Sequence, residues 1–305
     1  MGFTTREDAL SLPANNPSQA SGMKPSGDSF DSVSALPENP IVVIEPNTSW
    51  ASVNVREAWA HRELLYFLIW RDVKIRYKQT VLGATWAIIQ PLFTMLIFTV
   101  IFSKVARISS DGIPYPVFCY AALMPWIFFS NAVGTSSNSL VMSAHVITKV
   151  YFPRILIPVA SVGAVVVDLA FAFIMLVFLL LFYKIVPTRN ILMLPVPVLL
   201  AMALGVWLSA LNVKYRDIRF VVPFLLQLWM FLSPIAYPPS VVPPRWQLLY
   251  SLNPLTGIID AYRSALFGQP FGWRALGISL AITLFMLVYA GHVFRKMEKS
   301  FADII

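Results

Sequence analysis

Six long apolar stretches follow one another along the chain from residue 84 onward. They cover about residues 84–103, 116–141, 155–182, 191–211, 220–237 and 275–294, and polar or proline-rich segments separate them. Each stretch is close to the roughly 20 residues that a helix needs to cross the hydrocarbon layer of a membrane. The pattern predicts an all-α integral membrane protein with six transmembrane helices, which together form a transmembrane domain over residues 82–297.

The residues before the first span show two different patterns. Residues 1–47 are rich in Ser, Pro, Asn and Gly, which predicts a disordered cytoplasmic tail. Within the segment 48–81, the residues that fall on one helical stripe are Tyr66, Ile69, Trp70, Val73 and Tyr77. The basic residues Arg71, Lys74 and Lys78 lie on a neighbouring face. This combination predicts an amphipathic helix in the membrane interface. Residues 298–305 are expected to form a short cytoplasmic tail.

The loop between the fifth and sixth stretches is itself half apolar. Two segments, about 246–252 and 255–267, have helical patterns but are too short to span, and Asn253-Pro254 separates them. We predict a re-entrant outer helical hairpin over residues 242–268. Non-helical backbone at membrane depth is tolerated only where it is buried in protein or faces a water-filled cavity. A nearby pathway is therefore one interpretation, and a flap on the lipid surface is the other.

Composition and charge support the membrane class. Hydrophobic residues make up 57% of the 305 residues and charged residues 12%, whereas soluble domains have about 25% charged residues. The net charge of +8 comes from basic residues that lie beside the apolar spans. This placement favours lipid headgroups and membrane topology over a nucleic-acid partner. The distribution of Lys and Arg favours an orientation with both termini in the cytoplasm.

The chain contains no recognisable catalytic constellation. It has no glycine-rich loop ending in Lys-Ser or Lys-Thr that would cradle the phosphates of ATP. Its three histidines are dispersed and lack metal-ligand spacing. We therefore expect no enzymatic activity, no cofactor and no metal in this chain by itself.

Asp168 lies near the middle of the third span, within the apolar sequence GAVVVDLAFAF. A carboxylate at that depth costs a few kcal/mol unless it is paired or hydrated, so such residues are functional candidates. No relay partner at a comparable depth is apparent in the sequence. Two interpretations remain open: Asp168 lines a translocation path, or it makes a structural hydrogen bond.

The second span carries many small polar residues after an aromatic run. Such residues suit close helix packing or a hydrated wall, and a homodimer with a pore at its subunit interface would use both. The predicted path residues in this span are Trp126, Phe129, Asn131, Ser136 and Asn138. Aromatic residues near the outer surface, such as Tyr237 and Trp246, fit either an interface belt or carbohydrate stacking.

Five separated motifs resemble a known family. They are RDVKIRYKQTVLGATWAIIQPL, LMPWIFFSNAVGTSSNSL, ITKVYFPRILIP, NVKYRDIR and LNPLTGIIDAYR. In this order they are similar to motifs in permease subunits of ABC exporters for cell-surface polysaccharides, including O-antigen and teichoic-acid exporters. The resemblance covers about residues 50–296. It implies a homodimer in the bacterial inner membrane, a separate ATPase dimer that binds ATP-Mg, and a lipid-linked polysaccharide as the cargo.

The resemblance also implies roles for three groups of residues. The substrate entrance gate, near the diphosphate of the lipid-linked cargo, would comprise Arg71, Lys74, Arg76, Tyr77 and Lys78. Contact with the ATPase would involve His145, Lys149, Val150, Tyr151, Phe152 and Arg154. An outer gate would comprise Trp246, Tyr250, Asn253, Pro254 and Tyr262. Membrane topology alone would also place basic residues in the first two groups, because cytoplasmic segments are enriched in Lys and Arg.

Two other functions compete with polysaccharide export. An ABC permease could export a drug or a small lipid instead. A membrane-embedded glycosyltransferase would need an acidic catalytic cluster facing the headgroups, and the sequence shows none.

Overall fold

The computed structural model describes residues 60–78, 85–149, 152–186, 195–298 and 301, and the regular structure in these ranges is helical throughout. The predicted tail 1–47 and most of the predicted tail 298–305 lie outside the described residues. The α-helices are α1 (Arg62–Tyr77), α2 (Trp86–Phe98), α3 (Tyr115–Met142), α4 (Ala144–Ile147), α5 (Leu156–Phe182), α6 (Pro195–Lys214), α7 (Ile218–Leu232), α8 (Pro244–Ser251), α9 (Pro254–Phe267) and α10 (Trp273–Glu298). A π-helical segment, Thr99–Val105, extends α2, and a 3₁₀ turn, Pro239–Val241, precedes α8.

Five helical segments in the described ranges are long and apolar enough to cross a membrane. They are Trp86–Val105, Tyr115–Met142, Leu156–Phe182, Pro195–Lys214 and Trp273–Glu298. They agree with the predicted first, second, third, fourth and sixth spans over the residues that are described. The prediction of an all-α membrane protein is confirmed, and the count of six spans stays a prediction.

The predicted fifth span is wrong in its C-terminal part. The helix α7 has 15 residues and ends at Leu232 rather than at residue 237. At 1.5 Å per residue it is about 22 Å long, which is short of the roughly 30 Å of hydrocarbon. Pro234 accounts for the early end, because a proline disfavours helical backbone in the residue before it. Ser233 is accordingly extended, with φ −105° and ψ 151°.

The central helix of the bundle is α3. Over its most apolar stretch, 78% of its residues are buried, compared with 11% for the segment that contains α2 and 28% for α10. It packs against α2, α5, α6 and α9. Because its neighbours cover it on most sides, small polar residues such as Ser136, Ser137 and Ser139 are buried against protein, whereas Thr135 is exposed.

The buried apolar residues form two separate clusters along α3. One cluster includes α3 residues as far as Val133, and the other begins at Leu140. Between them, Ser136 donates a hydrogen bond to the carbonyl of Pro158 (3.0 Å), and the Asn212 amide donates to the carbonyl of Ser137 (2.9 Å). We call this region the polar layer of α3.

The helix α1 runs alongside the first half of α5. Ile69 lies against Gly163, where a Cβ atom would be 2.8 Å from the Ile69 side chain, and Ser161 donates a hydrogen bond to Asp72 (3.3 Å). Of the predicted apolar stripe, Tyr66 is 70% exposed. A helix in this place is confirmed. Of the other stripe residues, Ile69 and Tyr77 contact α5, and a position in the membrane interface stays a prediction.

The predicted outer hairpin contains two helices, α8 and α9, and the break between them is at Leu252-Asn253. The helix α9 is buried along most of its length against α3 and α10. Its Gly257 lies directly against the backbone of Ala275, so that a side chain there would overlap with α10. The helical segments are confirmed, and their location on the outer side of the membrane stays a prediction.

Candidate functional site

An ion pair joins the end of α1 to the middle of α5. Arg76 Nη1 donates to Asp168 Oδ2 at 2.5 Å, and the Tyr77 hydroxyl donates to the other carboxylate oxygen. The side chains of Arg76 and Asp168 are 29% and 18% exposed. Asp168 therefore has partners at its own depth, contrary to the expectation from the sequence, because a helix that precedes the first span supplies them.

A cavity of about 570 Å³ lies beside this ion pair. The last turn of α1, the start of α2 and the middle parts of α3 and α5 enclose it. Its polar lining consists of Arg76, Tyr77, Gln90, Asn131 and Asp168. Apolar and aromatic side chains, including Trp86 and Phe128, form the rest of the wall. The cavity thus offers a cation, hydrogen-bond donors and an apolar surface to the same ligand.

Tyr77 acts as a donor at this site. Burial, and next the hydrogen bond to Asp168 and its negative charge, raise the pKa of the Tyr77 hydroxyl, while the charge of Arg76 opposes the shift. The phenol is therefore neutral at physiological pH. It keeps its proton and uses it in the hydrogen bond to Asp168.

The other predicted gate residues do not line the cavity. Arg71 Nη2 binds the carboxylate of its neighbour Asp72 at 2.8 Å. The Lys74 amine lies 4.7 Å from the centroid of the Trp70 ring, and Lys78 is exposed immediately after α1. The structure brings together two of the five predicted gate residues, Arg76 and Tyr77.

The predicted path residues fall into three environments. Asn131 and Asp168 line the cavity. Phe129 is buried between Trp126, at 5.9 Å between ring centroids, and Trp229 of α7, at 5.4 Å. Two others belong to the polar layer of α3, where Ser136 binds Pro158 and Asn138 Oδ1 accepts from Asn212 at 3.0 Å. The last two groups contact neighbouring helices and do not line the cavity.

The predicted ATPase-contact segment is attached to the end of α10. His145 and Lys149 are exposed, Phe152 is buried, and Val150 and Tyr151 lie outside the described residues. The backbone N–H of Arg154 donates to Glu298 Oε1 (3.1 Å), and its guanidinium donates to the Glu298 carbonyl (2.8 Å).

Asn253 joins the end of α7 to the start of α9 in the predicted outer gate. Its Oδ1 accepts from the backbone N–H of Leu255 (3.1 Å), which caps α9, and from the indole N–H of Trp229 (2.9 Å). Its amide nitrogen donates to the carbonyl of Leu232 (3.2 Å), at the end of α7. Pro254 follows as the first residue of α9 and is buried.

The aromatic members of the predicted outer gate do not form one cluster. Trp246 is 51% exposed, beside Arg245. The Tyr250 ring lies 6.3 Å from that of Tyr237, and Tyr262 is buried in the main apolar cluster.

Arg263 is not among the residues that the sequence predicted to be functional. The residue is only 4% exposed, and its guanidinium carbon lies 3.5 Å from the centroid of the Phe118 ring. It donates to the carbonyls of Ile235 (2.9 Å), Phe118 (3.3 Å) and Tyr237 (3.4 Å). Burial lowers the pKa of Arg263 to about 10, so the side chain is still charged at neutral pH. The sequence does carry a sign of this burial, because Arg263 lies one helical turn after Ile259, on the apolar face of α9.

The fold and the cavity define a multi-pass α-helical membrane protein with a mixed polar and apolar cavity between its helices. The model of the ABC-2 type transporter family matches residues 63–267. The chain belongs to this membrane family, and the family resemblance carried by the sequence motifs is confirmed.

Several bacterial relatives cover most of the chain. It is 30% identical over 260 residues to an O-antigen export system permease protein, RfbA, of Myxococcus xanthus, which covers 82% of this chain and 98% of the relative. It is 28% identical over 249 residues to an RfbA permease of Klebsiella pneumoniae, covering 80% and 95% of the two chains. A polysialic acid transport protein, KpsM, of Escherichia coli is 24% identical over 249 residues, covering 76% and 93%.

Proposed function

We propose that this chain is the permease subunit of an ATP-driven exporter that moves a lipid-linked cell-surface polysaccharide across the bacterial inner membrane. The observation that carries the proposal is the match to an O-antigen export permease over 98% of that protein's length. A match of this extent includes the helices around the cavity and the segment before α5. The family membership supports transport and not catalysis as the chain's activity.

The complete exporter contains two copies of this chain and a cytoplasmic ATPase dimer. The ATPase binds ATP-Mg, which this chain has no motif to bind. The short helix α7 serves as the fifth of six spans, so that both termini are cytoplasmic. Its exposed apolar residues, including Phe220, Phe224 and Leu228, suit contact with membrane lipid or with the second copy.

The cavity beside Arg76 is the entrance for the lipid-linked cargo. A diphosphate is anionic, and a guanidinium binds such groups with charge-assisted hydrogen bonds. The exposed Lys74 and Lys78, on the same helix, favour anionic headgroups near the cavity. The apolar wall formed by residues such as Trp86 and Phe128 suits a lipid chain.

Movement begins at the ATPase-contact segment. His145 and Lys149 are exposed and available to a cytoplasmic partner. Because Arg154 is bonded to Glu298, displacement of this segment is transmitted to α10 as well as to α5. At the other end of the path, the outer gate opens at the Asn253 junction between α7 and α9.

Deletion of the gene in its native host tests the proposed function. We expect loss of surface glycan on stained gels and accumulation of the lipid-linked glycan inside the cell. The wild-type gene restores the glycan, and the Arg76→Gln variant restores less than a tenth of it. Arg71→Gln is the matched control, because Arg71 pairs with its neighbour Asp72 and does not line the cavity. Intact surface glycan of normal length after deletion would contradict the proposal and favour export of a drug or a small lipid.

A further inference from the structure

The anion-binding groups of the cavity are already occupied by an anion of the protein itself. Arg76 and Tyr77 both donate to the carboxylate of Asp168, one to each oxygen. All three side chains line the cavity wall. A ligand in the cavity therefore meets the donors and their present acceptor together.

A carboxylate and a diphosphate compete for the same donors on unequal terms. A carboxylate has one negative charge and two oxygens, whereas a diphosphate has more of both. The planar fork of a guanidinium matches either group with paired hydrogen bonds. The more highly charged anion makes the stronger contact, and a neutral ligand has nothing with which to displace Asp168.

Other hydrogen-bond donors are available to the Asp168 carboxylate if it is displaced from Arg76 and Tyr77. Gln90 and Asn131 line the same cavity, and each carries a side-chain amide that can donate. A carboxylate at membrane depth needs such partners. The cavity therefore contains donors for both anions, the internal one and the incoming one.

The rest of α1 has contacts with α5 that do not involve Asp168. Ile69 packs against Gly163, and Asp72 accepts a hydrogen bond from Ser161. Arg76 and Tyr77 belong to the last turn of the helix. Exchange of the anion therefore releases only that turn from α5.

We propose that Asp168 is an internal substitute for the substrate phosphate, and that a lipid diphosphate enters the cavity by displacing it from Arg76 and Tyr77. This proposal rests on the proposed function. In it, Asp168 is a specificity-determining residue: it excludes neutral and weakly charged lipids, which cannot compete for Arg76.

Binding to the purified full-length chain in nanodiscs tests the exchange. The probes are farnesyl diphosphate, farnesyl monophosphate, farnesol and inorganic pyrophosphate. Removing the competing charge with Asp168→Asn should tighten binding of farnesyl diphosphate about tenfold, as expected for a close charge pair. It should leave farnesol binding unchanged. Adding Arg76→Gln to Asp168→Asn should abolish the gain.

Two further variants control the experiment. Asp72→Asn removes an acid of α1, the helix that carries Arg76, and should not change binding because Asp72 does not line the cavity. Asp168→Ser is the second variant if Asp168→Asn does not fold, and it should show the same gain. Only variants that keep the size-exclusion profile and thermal transition of the wild type are compared.

The outcomes separate the two proposals. Unchanged or weaker diphosphate binding in folded Asp168 variants would overturn the exchange while leaving export intact. Inorganic pyrophosphate binding as tightly as farnesyl diphosphate would overturn the assignment to a lipid. Surface glycan that persists after gene deletion would overturn the export function itself, whatever the probes bind.

Discussion

Arg76 and Arg263 are held in opposite ways. Arg76 is 29% exposed, beside a cavity, and its partner is the carboxylate of Asp168. Arg263 is almost fully buried, and it contacts three backbone carbonyls and the ring of Phe118. Among the described residues, no carboxylate lies within ion-pair distance of Arg263.

The difference separates a contact that can be exchanged from one that cannot. A side chain such as Asp168 can rotate away and leave its donor to a ligand. The carbonyls of Ile235 and Tyr237 are fixed parts of the segment between α7 and α8 and cannot leave without moving it. We infer that Arg263 holds α3, α9 and the segment after α7 together, whereas Arg76 is available to a ligand.

Replacing Arg263 should have the largest effect on stability. Arg263→Ala leaves three carbonyls without their donor and empties the space over Phe118, and we expect a loss of about 3–5 kcal/mol in the free energy of unfolding. Denaturant titration of the purified protein in detergent measures it. Arg245→Ala, at an exposed arginine of α8, is the control and should change stability by less than about 0.5 kcal/mol. A loss of under 1 kcal/mol at Arg263 would remove the distinction between the two arginines.

Gly257→Ala tests the rigidity of the same end of the molecule. The new methyl group would overlap with the backbone of Ala275, which cannot rotate away, and we expect a cost of about 1–3 kcal/mol. Gly277→Ala, on the helix that Gly257 contacts, places its methyl in open space and should be neutral or slightly stabilising. Equal effects at the two glycines, measured by thermal unfolding, would show that α9 and α10 are not tightly packed.

Arg76→Gln should separate stability from transport. Because the pair is partly exposed, we expect a loss of only about 1 kcal/mol in the free energy of unfolding, together with the loss of most glycan export. Unfolding in detergent and surface-glycan staining of the same variant provide the two measurements. If the loss of stability equalled that of Arg263→Ala, the Arg76 contact would be structural.

Gly163→Ala should have the smallest effect. The new methyl group would come within 2.8 Å of the Ile69 side chain, which is flexible and can move. We expect a cost of about 1 kcal/mol or less. Adding Ile69→Ala should give a double variant whose loss is smaller than the sum of the single losses. If the two losses of stability were strictly additive, Ile69 of α1 and residue 163 of α5 would not be in tight contact.

The sequence was sufficient to locate the five long apolar helices, because their length and lack of charge depend on the membrane and not on tertiary contacts. The early end of α7 was also visible in principle, since Ser233-Pro234 interrupts the apolar run. The partner of Asp168 could not be predicted from the sequence. Arg76 and Asp168 are separated by 92 positions, and periodicity does not tell which face of α1 meets which span. The role of Arg263 was not predicted, because its segment was treated as part of the loop between two spans and the position of Arg263 on the apolar face of a helix was not considered.

The polar layer of α3 has a consequence for how the bundle can change shape. Interlocked apolar side chains resist sliding, because each shift opens voids and creates overlaps. A hydroxyl such as that of Ser136 can instead exchange one backbone carbonyl for another a turn away, with little change in energy. The two apolar clusters along α3 are therefore joined through hydrogen bonds at this level, and we expect that a small shift of α3 here need not disrupt the packing of either cluster.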